Sequence, residues 1–160
     1  MKTCITTIDW ISMGYDELTP ADRQLVDAAK DATSGSHSPY SGFSVGAAVL
    51  LDNGRTVTGS NQENAAYPSG LCAERTALFS AGHMYPGMAV TALAIAARNK
   101  DSFTAMPVTP CGACRQVMAE FESISGRPIR FLFYGTESVM LVEGGVKSLL
   151  PFCFVAESME

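Results

Sequence analysis

The sequence predicts an α/β protein, a three-layer α/β/α arrangement around a mixed five-stranded sheet. Three observations lead there. The tight-turn signal Asp52-Asn53-Gly54 separates two strand-like runs, Val45–Leu51 and Arg55–Ser60. The runs Val90–Ala97 and Ile129–Tyr134 are apolar almost throughout, as strands covered on both faces are. Helical patterns fall between them, so the order is helix, hairpin, helix, strand, helix, strand, strand, helix. That order puts helices on both faces of the sheet. With 160 residues, a single domain over 1–160 is expected. Such a chain can bury about two-thirds of its unfolded surface.

Residues 1–18 show no clear period and are expected to form an N-terminal arm. Thr19-Pro20 reads as a helix start, with Thr19 as the cap and Pro20 in the first helical position. Leu25, Val26, Ala29 and Ala32 mark the apolar face of that helix, which ends near Thr33. Ser34–Ser44 is a loop rich in glycine and serine, and the hairpin follows it. A second helix is predicted from Ser69 or Gly70 to Ala81, stopped by Gly82. After the strand Val90–Ala97, residues 98–109 form a loop that leads into a third helix, from Cys111 to about Phe121. Val117, Met118 and Phe121 face the core from this helix. Val139–Glu143 is the last strand, and Val146–Pro151 begins a short C-terminal helix.

Composition narrows the possible partners. Apolar residues make up 47% and charged residues 17%, which suits a large buried fraction or a subunit interface. The net charge of −5, without a Lys/Arg cluster, argues against long nucleic acid, whose affinity rests on phosphate contacts. A small uncharged ligand fits better. Met1–Trp10 lacks the basic-then-apolar pattern of a signal peptide. No apolar run approaches the roughly 20 residues of a membrane span. Five cysteines is an odd number, and a chain this long needs no staples, so a disulfide framework is not expected. Free thiols suit a reducing, cytoplasmic setting.

Three of those cysteines carry a metal signal. Cys111 and Cys114 are three apart at a helix start and point the same way, and Cys72 comes from a distant segment. Two readings stand side by side. A structural zinc site would close with a fourth Cys or His, but Cys4, Cys153, His37 and His83 fall in no paired ligand spacing. A catalytic site would keep its fourth position open for water. Glu74, beside Cys72, is then placed to handle protons without being a ligand. Arg75 shares a helix face with Cys72 and can donate to cysteine sulfur, drawing charge from the thiolates as the two helix N-termini do.

Cys72-Ala73-Glu74 followed by Pro110-Cys111-Gly112-Ala113-Cys114 resembles the zinc-dependent cytidine and nucleobase deaminases. Ser38–Ala48 resembles the entry to the first hairpin of the small homotetrameric cytidine deaminases. Asn61-Gln62-Glu63-Asn64 resembles their ribose-binding string, and Leu149-Leu150-Pro151-Phe152-Cys153-Phe154 resembles their C-terminal ending. The resemblance covers residues 20–155 and implies a cytidine-deaminase-like fold.

It also implies the chemistry: hydrolysis of cytidine and 2′-deoxycytidine to uridine and 2′-deoxyuridine with release of ammonia, a step of pyrimidine salvage. Cys72, Cys111 and Cys114 would hold Zn²⁺, and Glu74 would move the protons. The Ala73 N–H would hold the pyrimidine carbonyl, and the Thr109 carbonyl would hold the amino group. Phe43 would pack on the nucleoside, and Asn61 and Glu63 would take the ribose hydroxyls. Tyr67 and Phe154 would act across the interfaces of a homotetramer with shared active sites. The sequence also admits two other readings: a deaminase for another aminopyrimidine nucleoside, and a non-catalytic nucleoside-binding or structural zinc protein.

Overall fold

The computed structural model describes residues 1–159. Its elements are β1 (Ile11–Met13), α1 (Pro20–Ala32), β2 (Ser44–Leu51), β3 (Thr56–Ser60), α2 (Ala73–Met84), β4 (Val90–Arg98), α3 (Gly112–Ser125), β5 (Arg130–Tyr134) and β6 (Val139–Val142). The strands form one mixed sheet in the order β1-β6-β5-β4-β2-β3. Only β4 and β5 pair in parallel among the named strands, and α3 is the crossover between them.

Residue size divides the two faces. Along β4, Leu93 and Ile95 point to one side, while Ala92, Ala94 and Ala96 point to the other. The larger residues pack under α2 and α3 with Leu78, Met118, Phe131 and Phe133. The alanines pack under α1, against Leu25, Val26 and Ala29. Both faces are therefore covered, which is why β4 reads as a continuous apolar run.

The predicted α/β/α layering is present, but the sheet has six strands instead of five. The sixth is β1, from the arm: Ile11, Ser12 and Met13 pair antiparallel with Leu141, Met140 and Val139. Three residues are too few to show an alternation, so the strand left no period in the sequence.

The second helix also begins later than expected. Tyr67–Ser69 is a separate 3-10 turn. Leu71 then exchanges both backbone bonds with Gln62, at 2.9 and 2.8 Å, which keeps the chain extended up to Cys72. Gly82 does not stop α2, which runs on to Met84. A Cβ at Gly82 would sit 3.2 Å from the Phe121 ring, so this glycine serves the contact between α2 and α3. The third helix is longer than expected, ending at Ser125 with Gly126 in the left-handed conformation. Near the C-terminus the expected short helix is one 3-10 turn, Val146–Ser148.

The topology sets where a site can form. β3 and β4 are both antiparallel to β2, which lies between them, so they run in the same direction. The chain leaves both at the same end of the sheet. α2 and α3 are the next helices after these strands, and both begin there. In α/β sheets the crevice beyond the carboxyl ends of strands is where ligands bind.

Candidate active site and metal centre

Cys72 and Cys111 occupy the N-cap positions of α2 and α3, and neither side chain caps its own helix. Both thiols are therefore free to meet across the gap between the two helix starts. Cys114, in the first turn of α3, is fully buried. The Sγ atoms of Cys72 and Cys111 lie 3.8 Å apart, and those of Cys111 and Cys114 3.5 Å. All three sulfurs fall within 4.8 Å of one another. A tetrahedral ion with Zn–S bonds of about 2.3 Å would set its sulfurs roughly 3.8 Å apart. The spacing therefore fits zinc with little movement. Among the described residues no fourth His, Cys, Asp or Glu joins this group.

The surroundings favour thiolate at Cys72. Hydrogen bonding with Cys114, then with Arg75 and Cys111, brings its thiol down to about 5 against the opposing effect of burial. The same shared bond with Cys72, together with burial, pushes Cys114 up. A divalent cation deprotonates a coordinating thiol outright. Arg75 points Nη2 at the Cys72 sulfur at 3.8 Å, and its buried Nε has no hydrogen-bond partner.

Glu74 is 4% exposed in the first turn of α2. Burial raises its carboxyl, and charge on Cys72 raises it further, while its own backbone amide lowers it. A carboxyl raised by desolvation is suited to taking up and giving back a proton.

Beside the cluster lies a cavity of about 390 Å³, within the range of roughly 300–1,000 Å³ typical of small-molecule sites. Its wall includes Asn61, Glu63, Tyr67, Cys72, Glu74, Arg75, Thr109 and Cys111, with apolar surface from Val45, Ile95 and Val108. Phe43, Ala73 and Phe154 are not part of this wall. Ala73 is fully buried next to Cys72, and Phe43 is half-buried on the loop before β2. Phe154 is 61% exposed.

The polar wall is braced from behind. Asn61 Oδ1 accepts from Ser36 Oγ at 2.6 Å and from the Val45 amide at 2.8 Å, and Nδ2 donates to the Phe43 carbonyl at 2.9 Å. Glu63 Oε2 accepts from the amides of Tyr40 and Ser41 at 2.9 and 3.3 Å. Hydrogen bonds from the Ser41 side chain and the Tyr40 amide hold the Glu63 carboxyl below its usual range. Tyr67 stacks edge-to-face on Tyr40, with centroids 6.0 Å apart.

Arg115 and Gln116 close the Pro110–Gln116 stretch, and the sequence assigns neither a role. Arg115 donates from Nε to the Pro110 carbonyl at 2.8 Å and from Nη1 to the Leu149 carbonyl at 2.7 Å. Gln116 bonds the backbone of Phe154. Their one sequence signal was position, directly after Cys114 in the first turns of a ligand-bearing helix.

Residues 19–126 match the family model for the cytidine and deoxycytidylate deaminase zinc-binding region. A cytidine deaminase of Halalkalibacterium halodurans is 43% identical over 139 residues, covering 86% of this chain and 98% of that protein. Among solved structures, a cytidine deaminase from Burkholderia pseudomallei superimposes with a TM-score of 0.70 at 36% identity, over 86% of this chain and 100% of that one. One from Mycobacterium tuberculosis gives 0.63 at 35% identity, over 82% and 95% of the two chains.

Proposed function

The chain belongs to the cytidine and deoxycytidylate deaminase family, and we propose from that premise that its pocket converts cytidine and 2′-deoxycytidine, with water, to uridine and 2′-deoxyuridine and ammonia. The observation that carries the reading is the buried Glu74 carboxyl beside three sulfurs at zinc spacing, on the wall of a nucleoside-sized cavity. When bound by Cys72, Cys111 and Cys114, zinc supplies a Lewis acid that lowers the pKa of a water from 15.7 toward about 7.

Every other role falls to the chain. Glu74 takes a proton from the attacking water and passes it to the ring nitrogen next to the reacting carbon. It then takes the second proton of that water, from the hydroxyl now on the carbon, and gives it to the amino group, which departs as ammonia while the carbonyl forms. Arg75 draws charge from the Cys72 sulfur. The Ala73 N–H holds the pyrimidine carbonyl oxygen, and the Thr109 carbonyl receives the amino group. Phe43 packs on the nucleoside.

Asn61 and Glu63 bind the sugar. A carboxamide has two N–H donors; Asn61 uses one on Phe43, which leaves one for a hydroxyl. The Glu63 carboxylate has lone pairs beyond those taken by Tyr40 and Ser41, and a charged acceptor makes the stronger bond.

The working form is a homotetramer with shared active sites, to which Tyr67 and Phe154 contribute across interfaces. Its support is the exposure of large apolar side chains: Tyr67 is 74% exposed and Phe152 92%. Residues 1–160 act as one domain, with 1–18 as an arm whose Ile11–Met13 joins the shared sheet. Five free cysteines suit a cytoplasmic protein. No described helix is long and apolar enough to cross a membrane.

An ammonia-release assay with cytidine tests the reading. Turnover that chelation abolishes and zinc restores supports it. The absence of ammonia from zinc-loaded protein rejects it in favour of a binding or structural role.

A further inference from the structure

Gln116 holds the backbone of Phe154 at two points. Its Nε2 donates to the Phe154 carbonyl at 2.6 Å, and its Oε1 accepts from the Phe154 N–H at 3.3 Å. The side chain thus copies the paired bonds of an antiparallel strand. Phe154 itself is 61% exposed, so packing within the chain does not account for its placement. An apolar ring left in water, on a backbone tied at both polar groups, is pre-organised for a contact outside its own chain.

The tie also has a particular origin. Gln116 stands two residues after Cys114, and its neighbour Arg115 holds the Leu149 carbonyl at 2.7 Å. The helix that carries two of the three sulfurs therefore fixes the C-terminal segment at Leu149 and again at Phe154. The backbone that carries the ring is thereby tied to the helix that carries Cys111 and Cys114.

We propose that Gln116 is a positioning residue, which sets the Phe154 ring at the angle needed to complete the nucleoside pocket of a second copy of this chain. The proposal rests on the shared-site assembly given above. Gln116 belongs neither to the cavity wall nor to the sulfur cluster. It acts through Phe154, so its effect should appear in nucleoside binding and leave the chemical step alone.

The test compares Gln116→Leu, Phe154→Ala and the double variant as full-length zinc-loaded proteins, by zinc content and by kcat and KM for cytidine. Gln116→Leu keeps the volume and removes both bonds. Gln116→Leu and Phe154→Ala should each raise KM about fivefold, the scale of one or two lost hydrogen bonds. Zinc content should be unchanged and kcat should stay within about twofold. The double variant should be no worse than Phe154→Ala alone, because contacts acting as one unit are not additive. An unchanged KM in Gln116→Leu, effects that multiply in the double variant, or a joint fall of kcat and zinc content would each overturn the proposal. If Gln116→Leu does not fold, Gln116→Glu carries the same comparison, since its carboxylate cannot donate to the Phe154 carbonyl. Wild-type protein that releases no ammonia rejects the deaminase reading itself. Active wild type with an unaffected Phe154→Ala rejects the shared ring and this proposal, and leaves the deaminase reading standing.

Discussion

A Cβ added at Gly59 would stand 2.4 Å from the backbone nitrogen of Ala77 and 2.9 Å from the carbonyl oxygen of Ala73. Strand β3 and helix α2 touch there backbone to backbone, directly beside the first turn that carries Cys72 and Glu74. Gly59→Ala must push α2 away from the sheet. It should cost about 1–3 kcal/mol, the range for overpacking a well-packed interior. A thermal melt should fall by several degrees, and zinc should be held more weakly. A variant with wild-type stability and zinc affinity would show that the α2 position is not set by this contact.

The metal cluster gives the next prediction. α2 and α3 meet at their N-termini through Cys72, Cys111 and Cys114. Cys111→Ala removes the sulfur that lies within 3.8 Å of both others. Metal analysis should move from about one zinc per chain to none, and the melting temperature should fall, because metal affinity is part of folding free energy. Retention of stoichiometric zinc in Cys111→Ala would show that the metal is held elsewhere.

Much of this site was legible in the sequence for a simple reason. Cysteine spacing and hairpin chemistry are local, and local patterns survive without knowledge of the fold. The Thr19 cap is present, its side chain accepting from the Asp22 amide. The Asp52–Gly54 turn and both buried strands fall where periodicity puts them. What stayed hidden depends on partners distant in sequence. β1 exists because β6 offers it an edge, and the late start of α2 follows from the pairing of Leu71 with Gln62. The use of Gly82 depends on Phe121, and the roles of Arg115 and Gln116 depend on Leu149 and Phe154.

Glu63 is expected to read the sugar. A site built for a hydroxyl rejects a ligand that lacks it, because its own polar groups are left unpaired. Cytidine and 2′-deoxycytidine should both be accepted, while 3′-deoxycytidine and free cytosine should be poor substrates. Glu63→Ala should erode the preference for cytidine over 3′-deoxycytidine with zinc still bound. It should also loosen the Tyr40–Ser41 turn, whose amides Glu63 holds. The measurement is kcat/KM for both nucleosides with both proteins. A ratio unchanged by the substitution would remove Glu63 from sugar recognition.

Glu74→Gln tests the central claim most directly. The substitution keeps the size of the buried side chain and removes its capacity to carry a proton. Glu74 is not one of the three sulfur ligands, so zinc content should remain at about one per chain. Ammonia release from cytidine should fall by 10²-fold or more, the scale for a positioned acid–base group. Near-normal turnover in zinc-loaded Glu74→Gln would contradict the account, because the protons of the reaction would then be moved by another group.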